Sequence, residues 1–240
     1  MVLLIRKKHL LTGLLCAVLC TGAVLWPRPS AAEVSATTEP PPQRVVVVDA
    51  GHGGADGGAV SDSGVAESGL NLAIAQRLGG VLAFCGHTVT LTRAGESSLC
   101  DDSSATLRQQ KVSDTQNRVA LVNGYPDARL ISIHQNSLPG HPGVRGAQSF
   151  HNGQGSAEAM ARHIQAALNG AVNDREKDAR RIDDSIYLMK HAACPAVLVE
   201  CGFLSSPEET ARLQTAEYQL QLAAVIAAGF SQYCTNEGWT

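Results

Sequence analysis

Beyond residue 32 the sequence has no close pair of cysteines. Its seven cysteines include Cys85, Cys100, Cys194, Cys201 and Cys234 beyond the N-terminal region, none in a C-x-x-C spacing. This argues against a zinc-thiolate site and against a disulfide framework. Cys194 and Cys201 stand among apolar residues and read as small buried hydrophobes, and a Cys85 to Cys100 bridge is left open. An excess of positive charge is missing too. The chain carries 19 basic and 22 acidic residues. Residues 1–32 hold four of the basic residues and no acidic one, so the remainder has 15 against 22, a formal charge of −7. No nucleic-acid surface is expected. There is no internal repeat, and the one Gly-rich loop lacks both the Lys-Ser/Thr of a P-loop and the G-x-G-x-x-G spacing.

What is present begins with an export signal. Arg6-Lys7-Lys8 precede an apolar stretch from Leu10 to Trp26, followed by Ser30-Ala31-Ala32, the layout of a secretory signal cut after Ala32 or of a retained N-terminal membrane anchor. Either form places the rest of the chain outside the cytoplasm, because the positive cluster comes first. Cys16 and Cys20 each follow Leu where a lipidated cysteine wants a small residue. Residues 33–43, with three consecutive prolines, cannot bury apolar area and read as a linker. A single domain is expected over 44–234, with a short tail at 235–240.

Val45 to Val48 is a continuous β-branched run ending in a Gly-rich turn, which predicts a strand buried on both faces. Further short apolar runs at Thr88–Thr92, Arg129–His134, Ala147–Phe150, Ile186–Met189 and Ala196–Cys201 are candidate strands. Helical spacing occurs between them. Leu70, Ile74, Leu78, Val81 and Leu82 predict a helix over Glu67–Phe84, with Gly86 near its end. Leu107–Val122 is largely polar but offers Val112, Val119 and Val122 as one stripe. Ser156–Val172 carries Met160, Ile164 and Leu168 on one side. Ser206-Pro207-Glu208-Glu209 has the cap, proline and glutamate of a helix start, and Leu220, Ala224 and Ala227 continue in a last helix. The alternation predicts an α/β fold with a central, largely parallel, mixed sheet of about six strands flanked by helices.

Four acidic or histidine positions stand at predicted strand ends or at a helix start, where ligands gather in open α/β sheets. His52 follows the Val run inside Asp49-Ala50-Gly51-His52-Gly53-Gly54. Glu67 opens the next helix, His134 ends Leu130-Ile131-Ser132-Ile133, and Glu200 ends Ala196-Val197-Leu198-Val199. A glutamate closing an all-apolar strand is costly to bury unless something positive compensates it. Two imidazoles and one carboxylate make the usual three-ligand shell of a catalytic zinc, and a fourth group can then carry protons. Singly, each residue has a bland reading: a lone strand-end histidine is more often structural, and a glutamate at a helix start favours the dipole. Their conjunction in chain order carries the argument.

At these residues the chain resembles the zinc-dependent N-acetylmuramoyl-L-alanine amidases of the amidase-3 type. The segments are VVVVDAGHGGADGGA, VAESGLNLAIAQRL, LISIHQNS, GAQSFHN and PAVLVECGFLSSPEE, spanning Arg44 to Tyr233. Ala50 departs from the proline common there, and Cys201 from the usual aliphatic residue. The resemblance implies zinc held by His52, Glu67 and His134, with Glu200 as the catalytic glutamate. It implies hydrolysis of the amide between the lactyl group of N-acetylmuramic acid and L-alanine of the stem peptide. A further likeness to germination-specific amidases of the spore cortex rests on RQQKVSDTQNR, NDRE and IYLMKHAACPAVLVECGFLSSPEE, and implies a role in cortex maturation through muramic-lactam formation, or in wall remodelling. Peptidoglycan is then the expected partner, with an activating protein as a further one. Arg93, Asn136 and His191 are candidate substrate contacts, Arg93 for a stem-peptide carboxylate and His191 for the glycan. About a dozen residues separate His134 from the next strand, too few for an inserted occluding helix, so an open site is expected. A zinc peptidase or deacetylase acting on another wall amide, and a wall-binding protein without catalysis, are the alternatives.

Overall fold

The computed structural model describes residues 44–101, 103 and 106–239. The expected export segment and the Pro-rich linker fall outside the described residues. Six strands form the sheet: β1 (Val45–Ala50), β2 (Thr88–Leu91), β3 (Ala128–Asn136), β4 (Gln148–His151), β5 (Arg180–Arg181) and β6 (Ala196–Phe203). The helices are α1 (Glu67–Phe84), α2 (Leu107–Asn123), α3 (Ala157–Ala171), α4 (Tyr187–His191), α5 (Pro207–Leu213) and α6 (Ala216–Glu237). The strand order is β2-β1-β3-β6-β4-β5. All pairs are parallel except β4 with β6. This is the α/β fold expected, a mostly parallel mixed sheet between helices. No helix among the described residues is long and apolar enough to cross a membrane.

The two faces of the sheet are covered unequally, and that difference makes room for a site. Val46, Val48, Ile131, Ile133, Val197 and Val199 point to one face and join the large core built with α1, α3 and α6. Val45, Val47, Leu130 and Leu198 point to the other, where a much smaller cluster includes Val122 of α2, Leu188 and Met189 of α4, and Ala192 and Cys194. Each fully buried aliphatic side chain is worth about 1.5–3 kcal/mol, so the first face carries most of the hydrophobic stabilisation. On the second face, period-two alternation continues each row toward the carboxyl ends of the strands as Asp49, Ser132, His134 and Glu200. Helix cover ends there and polar groups take over.

Three local expectations differ from the structure. Ile186–Met189 is not a strand: Tyr187–His191 forms the short helix α4, since a four-residue apolar run has no periodicity that separates the two states. Val112 leaves the expected stripe of α2 and stands 51% exposed, because α2 turns Asp114, Arg118 and Val122 inward instead, four residues apart. Residues 235–239 are no tail. The last helix runs to Glu237, Gly238 caps it in the left-handed region, and Trp239 is buried against Phe230 with Arg129 over its ring. At Ser206 the expected cap forms, with Glu209 N–H donating to Ser206 Oγ. The Glu209 carboxylate, however, accepts from Gly146 and Phe203 backbone N–H groups rather than from the cap. All five cysteines of the described region are unbridged.

Candidate metal centre

His52, Glu67 and His134 come together at the carboxyl ends of β1 and β3, each offering a ligand atom within 4.8 Å of the others'. Glu67 is the centre of the group. Its carboxylate faces His134 Nδ1 at 2.9 Å and His52 Nε2 at 3.3 Å. It also accepts hydrogen bonds from Ala59 N, Gln135 N and Asn71 Nδ2. Burial raises its pKa, and the His134 and His52 imidazoles outweigh that, holding the carboxyl well below the usual carboxylate range. For His52 burial pulls the other way, but Glu67 and then Asp56 raise it to about 9.

The backbone around His52 is shaped for this purpose. His52 sits at φ 62°, a left-handed conformation uncommon for a residue with a side chain. Two buried arginines hold it. Arg118 Nη2 donates to His52 O at 2.6 Å, and its Nη1 donates to Asp49 Oδ1 at 2.5 Å and to Ala50 O at 2.7 Å. Arg118 Nε binds Asp114. Arg93 donates from Nε to Ala50 O and from Nη2 to Gly51 O and Ser68 O. Asp56 Oδ2 meets His52 Nδ1 at 2.9 Å, which orients the ring with Nε2 toward Glu67, and Asp56 Oδ1 takes Lys111 Nζ at 2.8 Å. An outer carboxylate on a ligating imidazole is the common means of fixing its tautomer.

Two glycines make the cradle. A Cβ on Gly51 would lie 2.3 Å from the His134 ring. One on Gly58, at φ 69°, would lie 2.5 Å from Glu67 Oε2 and 2.8 Å from His52 Cδ2. Nothing larger than hydrogen fits at either position.

Glu200 is placed by strand pairing. It is the register partner of His134 across β3 and β6, so both side chains leave the same face side by side. Its Oε2 is buried with no hydrogen-bond partner among the described residues. Burial pushes its carboxyl up to about 7, with the His134 charge opposing, Glu67 reinforcing and His52 opposing. The four residues share a cleft of about 440 Å³ whose walls include Asp114 and Thr115 of α2 and Ile182, Ile186 and Tyr187 on the other side. The connection from β3 to β4, residues 137–147, contains no helix, and the cleft is open as expected. The donor set of two imidazole nitrogens and a carboxylate oxygen, beside an orphaned buried carboxylate oxygen, fits a divalent ion of the zinc type.

The other expected contacts stand elsewhere. Arg93 is 6% exposed and its donors are committed to backbone carbonyls behind the loop. Asn136 caps the end of β3, its Oδ1 accepting from Ser137 N. His191 lies outside the cleft walls, its ring 4.2 Å from that of Tyr187. Sequence reasoning missed Arg118, Asp49, Asp56 and Asn71. One signal for them was present: Asp49 ends the all-buried Val run just as Glu200 ends its own, and a buried carboxylate needs a cation. Asn71 stands four residues after Glu67, one helical turn along the same face.

Ligand-type residues gathered where parallel strands end, with a carboxylate beside them in an open cleft, define the class: an α/β enzyme with a candidate metal centre. The profile of the amidase-3 family, described as N-acetylmuramoyl-L-alanine amidase, matches residues 46–232, and the chain belongs to that family. The germination-specific N-acetylmuramoyl-L-alanine amidase of Bacillus subtilis (strain 168) is 35% identical over 196 residues, covering 81% of this chain and 81% of that protein. The amidase AmiA of Escherichia coli (strain K12) is 26% identical over 235 residues, 80% of this chain and 76% of its own length. Among solved structures, the CwlD amidase from Clostridioides difficile in complex with the GerS lipoprotein superposes with a TM-score of 0.76 at 32% identity, over 80% of this chain and 98% of that one.

Proposed function

We propose that this chain is a zinc-dependent amidase that hydrolyses the bond between the lactyl group of N-acetylmuramic acid and L-alanine of the peptidoglycan stem peptide. The observation that carries this reading is the register pairing of His134 with Glu200, which sets an orphaned carboxylate beside the His52, Glu67 and His134 donor set in a family of such amidases. When bound, a zinc ion there supplies Lewis-acid polarisation of water and of the scissile carbonyl oxygen. His52, Glu67 and His134 hold it, while Asp56 and the Gln135 and Ala59 N–H groups keep those ligands oriented. Glu200 takes the proton of the attacking water at its unpaired Oε2 and passes it to the departing amine of L-alanine. A carboxyl raised by burial toward neutrality suits both halves of that exchange.

The likeness to the germination-specific amidase supports spore cortex as the wall layer acted on. The related CwlD structure is a complex with a lipoprotein, which supports a protein partner for this chain as well. Action on peptidoglycan, with the basic cluster ahead of the N-terminal apolar stretch, supports a location outside the cytoplasm, exported or anchored. Mass spectrometry of muropeptides digested by the purified protein tests the reading. Release of intact stem peptide with a free amino-terminal alanine, abolished by a chelator and restored by zinc, is the expected result. Release of acetate, or cleavage within the peptide, would replace it with a deacetylase or a peptidase.

A further inference from the structure

One of the apolar side chains that α2 leaves outside shares a groove with an exposed aromatic ring of α4. Val112 is 51% exposed and Tyr187, on α4, is 42% exposed. With Lys111, Thr115 and Gln116 they line a groove of about 280 Å³. Thr115 and Tyr187 also line the cleft that holds Glu200 and the three candidate ligand residues, so groove and cleft share a wall. Ile186, 38% exposed, extends the same rim. Exposed apolar side chains grouped beside a reaction centre call for a ligand. The Tyr187 ring is backed by the ring of His191, with 4.2 Å between centroids.

We propose that Tyr187, with Val112 and Ile186, forms a shelf that carries the sugar ring of the muramoyl residue while the scissile amide lies at the metal centre. The inference rests on the amidase reading and adds the part of the substrate that the shelf receives. Charge decides between the two halves of that substrate. The glycan is uncharged and presents an apolar C–H face of its rings, which an aromatic side chain matches. The stem peptide carries carboxylates and would need cations, and the one ammonium beside the groove, Lys111 Nζ, is held by Asp56 at 2.8 Å. Tyr187 touches substrate here through its ring and takes no part in proton transfer.

The test compares two substrates with the same scissile amide: a disaccharide-tetrapeptide, and a D-lactoyl-tetrapeptide that lacks the sugars. Affinity is read as KM, or as an inhibition constant where turnover is slow. Tyr187→Ala should weaken the disaccharide substrate about three- to tenfold in KM with kcat nearly unchanged. It should leave affinity for the lactoyl peptide as in the wild type. Tyr187→Phe should restore wild-type KM, and Val112→Ser, on a different element, should shift KM in the same direction by less. Zinc content and thermal unfolding of each variant separate a local effect from loss of fold. An unchanged KM for the disaccharide substrate in Tyr187→Ala, or equal weakening of both substrates, overturns the shelf while wild-type cleavage leaves the amidase reading standing. Absence of cleavage by the wild type overturns both.

Discussion

Arg118 reaches the backbone of His52 and the carboxylate of Asp49 with one guanidinium, at 2.6 and 2.5 Å. The end of β1 and the loop carrying the first ligand residue are thereby one rigid piece. Removing one partner of a buried ion pair costs about 3–5 kcal/mol, because the other charge stays behind without compensation. Arg118→Met should lower unfolding free energy in urea by about that amount. The His52 carbonyl loses its donor at the same time, so zinc affinity should fall about 10- to 100-fold, as for other residues that orient ligands. Zinc titration of the folded variant checks this, and unaltered affinity would show that the loop holds its shape without the arginine.

Glu200→Gln keeps the volume of the side chain and removes the proton carrier. Turnover of muropeptides should drop about 10²- to 10⁴-fold, with zinc still bound at one equivalent by elemental analysis. Near-normal turnover would assign the proton transfer to another group.

Gly58→Ala should damage the centre without touching any ligand. Its Cβ would press on Glu67 Oε2 and His52 Cδ2 at a backbone conformation that already disfavours a side chain. Zinc stoichiometry measured after dialysis should fall well below that of the wild type. Gly69→Ala is the control: it lies exposed in α1 with nothing within 4 Å of the added Cβ, and should stabilise the helix by up to about 1 kcal/mol with zinc unaffected.

Acid should act through Asp49. Burial raises its carboxyl, but Arg118, with hydrogen bonds from Ser132 and Thr92, outweighs burial and lowers it below the ordinary 3.8. With the folded value depressed, the stabilising contribution is complete above about pH 4 and is lost as pH falls through the folded value. Urea unfolding from pH 5 to pH 2 should show stability declining with pH in the wild type. Asp49→Asn should be less stable at pH 5 and should show a flatter decline below pH 4.

The candidate ligands and Glu200 were legible because each closes or opens an element whose pattern is strong: the Val run before His52, the helix over Glu67–Phe84, and the apolar strands before His134 and Glu200. The groups that hold those ligands were not. Arg118 lies on a helix that reads as solvent-facing, and only the packing of α2 on the sheet turns Asp114 and Arg118 inward. Arg93 reads as a cation after a strand that would pair with a stem-peptide carboxylate or a structural one, whereas the neighbouring loop supplies carbonyl oxygens that only tertiary structure brings to it. Short segments failed for a different reason. Tyr187–His191 is too brief for helix and strand periods to differ, and the two-residue β5 carries no pattern at all.

The side-by-side placement of His134 and Glu200 comes from main-chain pairing between β3 and β6. Within the connection at 137–147, residues 139–144 are exposed and their backbone bonds stay inside the connection, so that segment can change in length without loosening either strand. A graft of foreign residues into it can add a cover, a tether or a sensor while the reacting groups keep their spacing, which makes this stretch the natural point for engineering control into the enzyme.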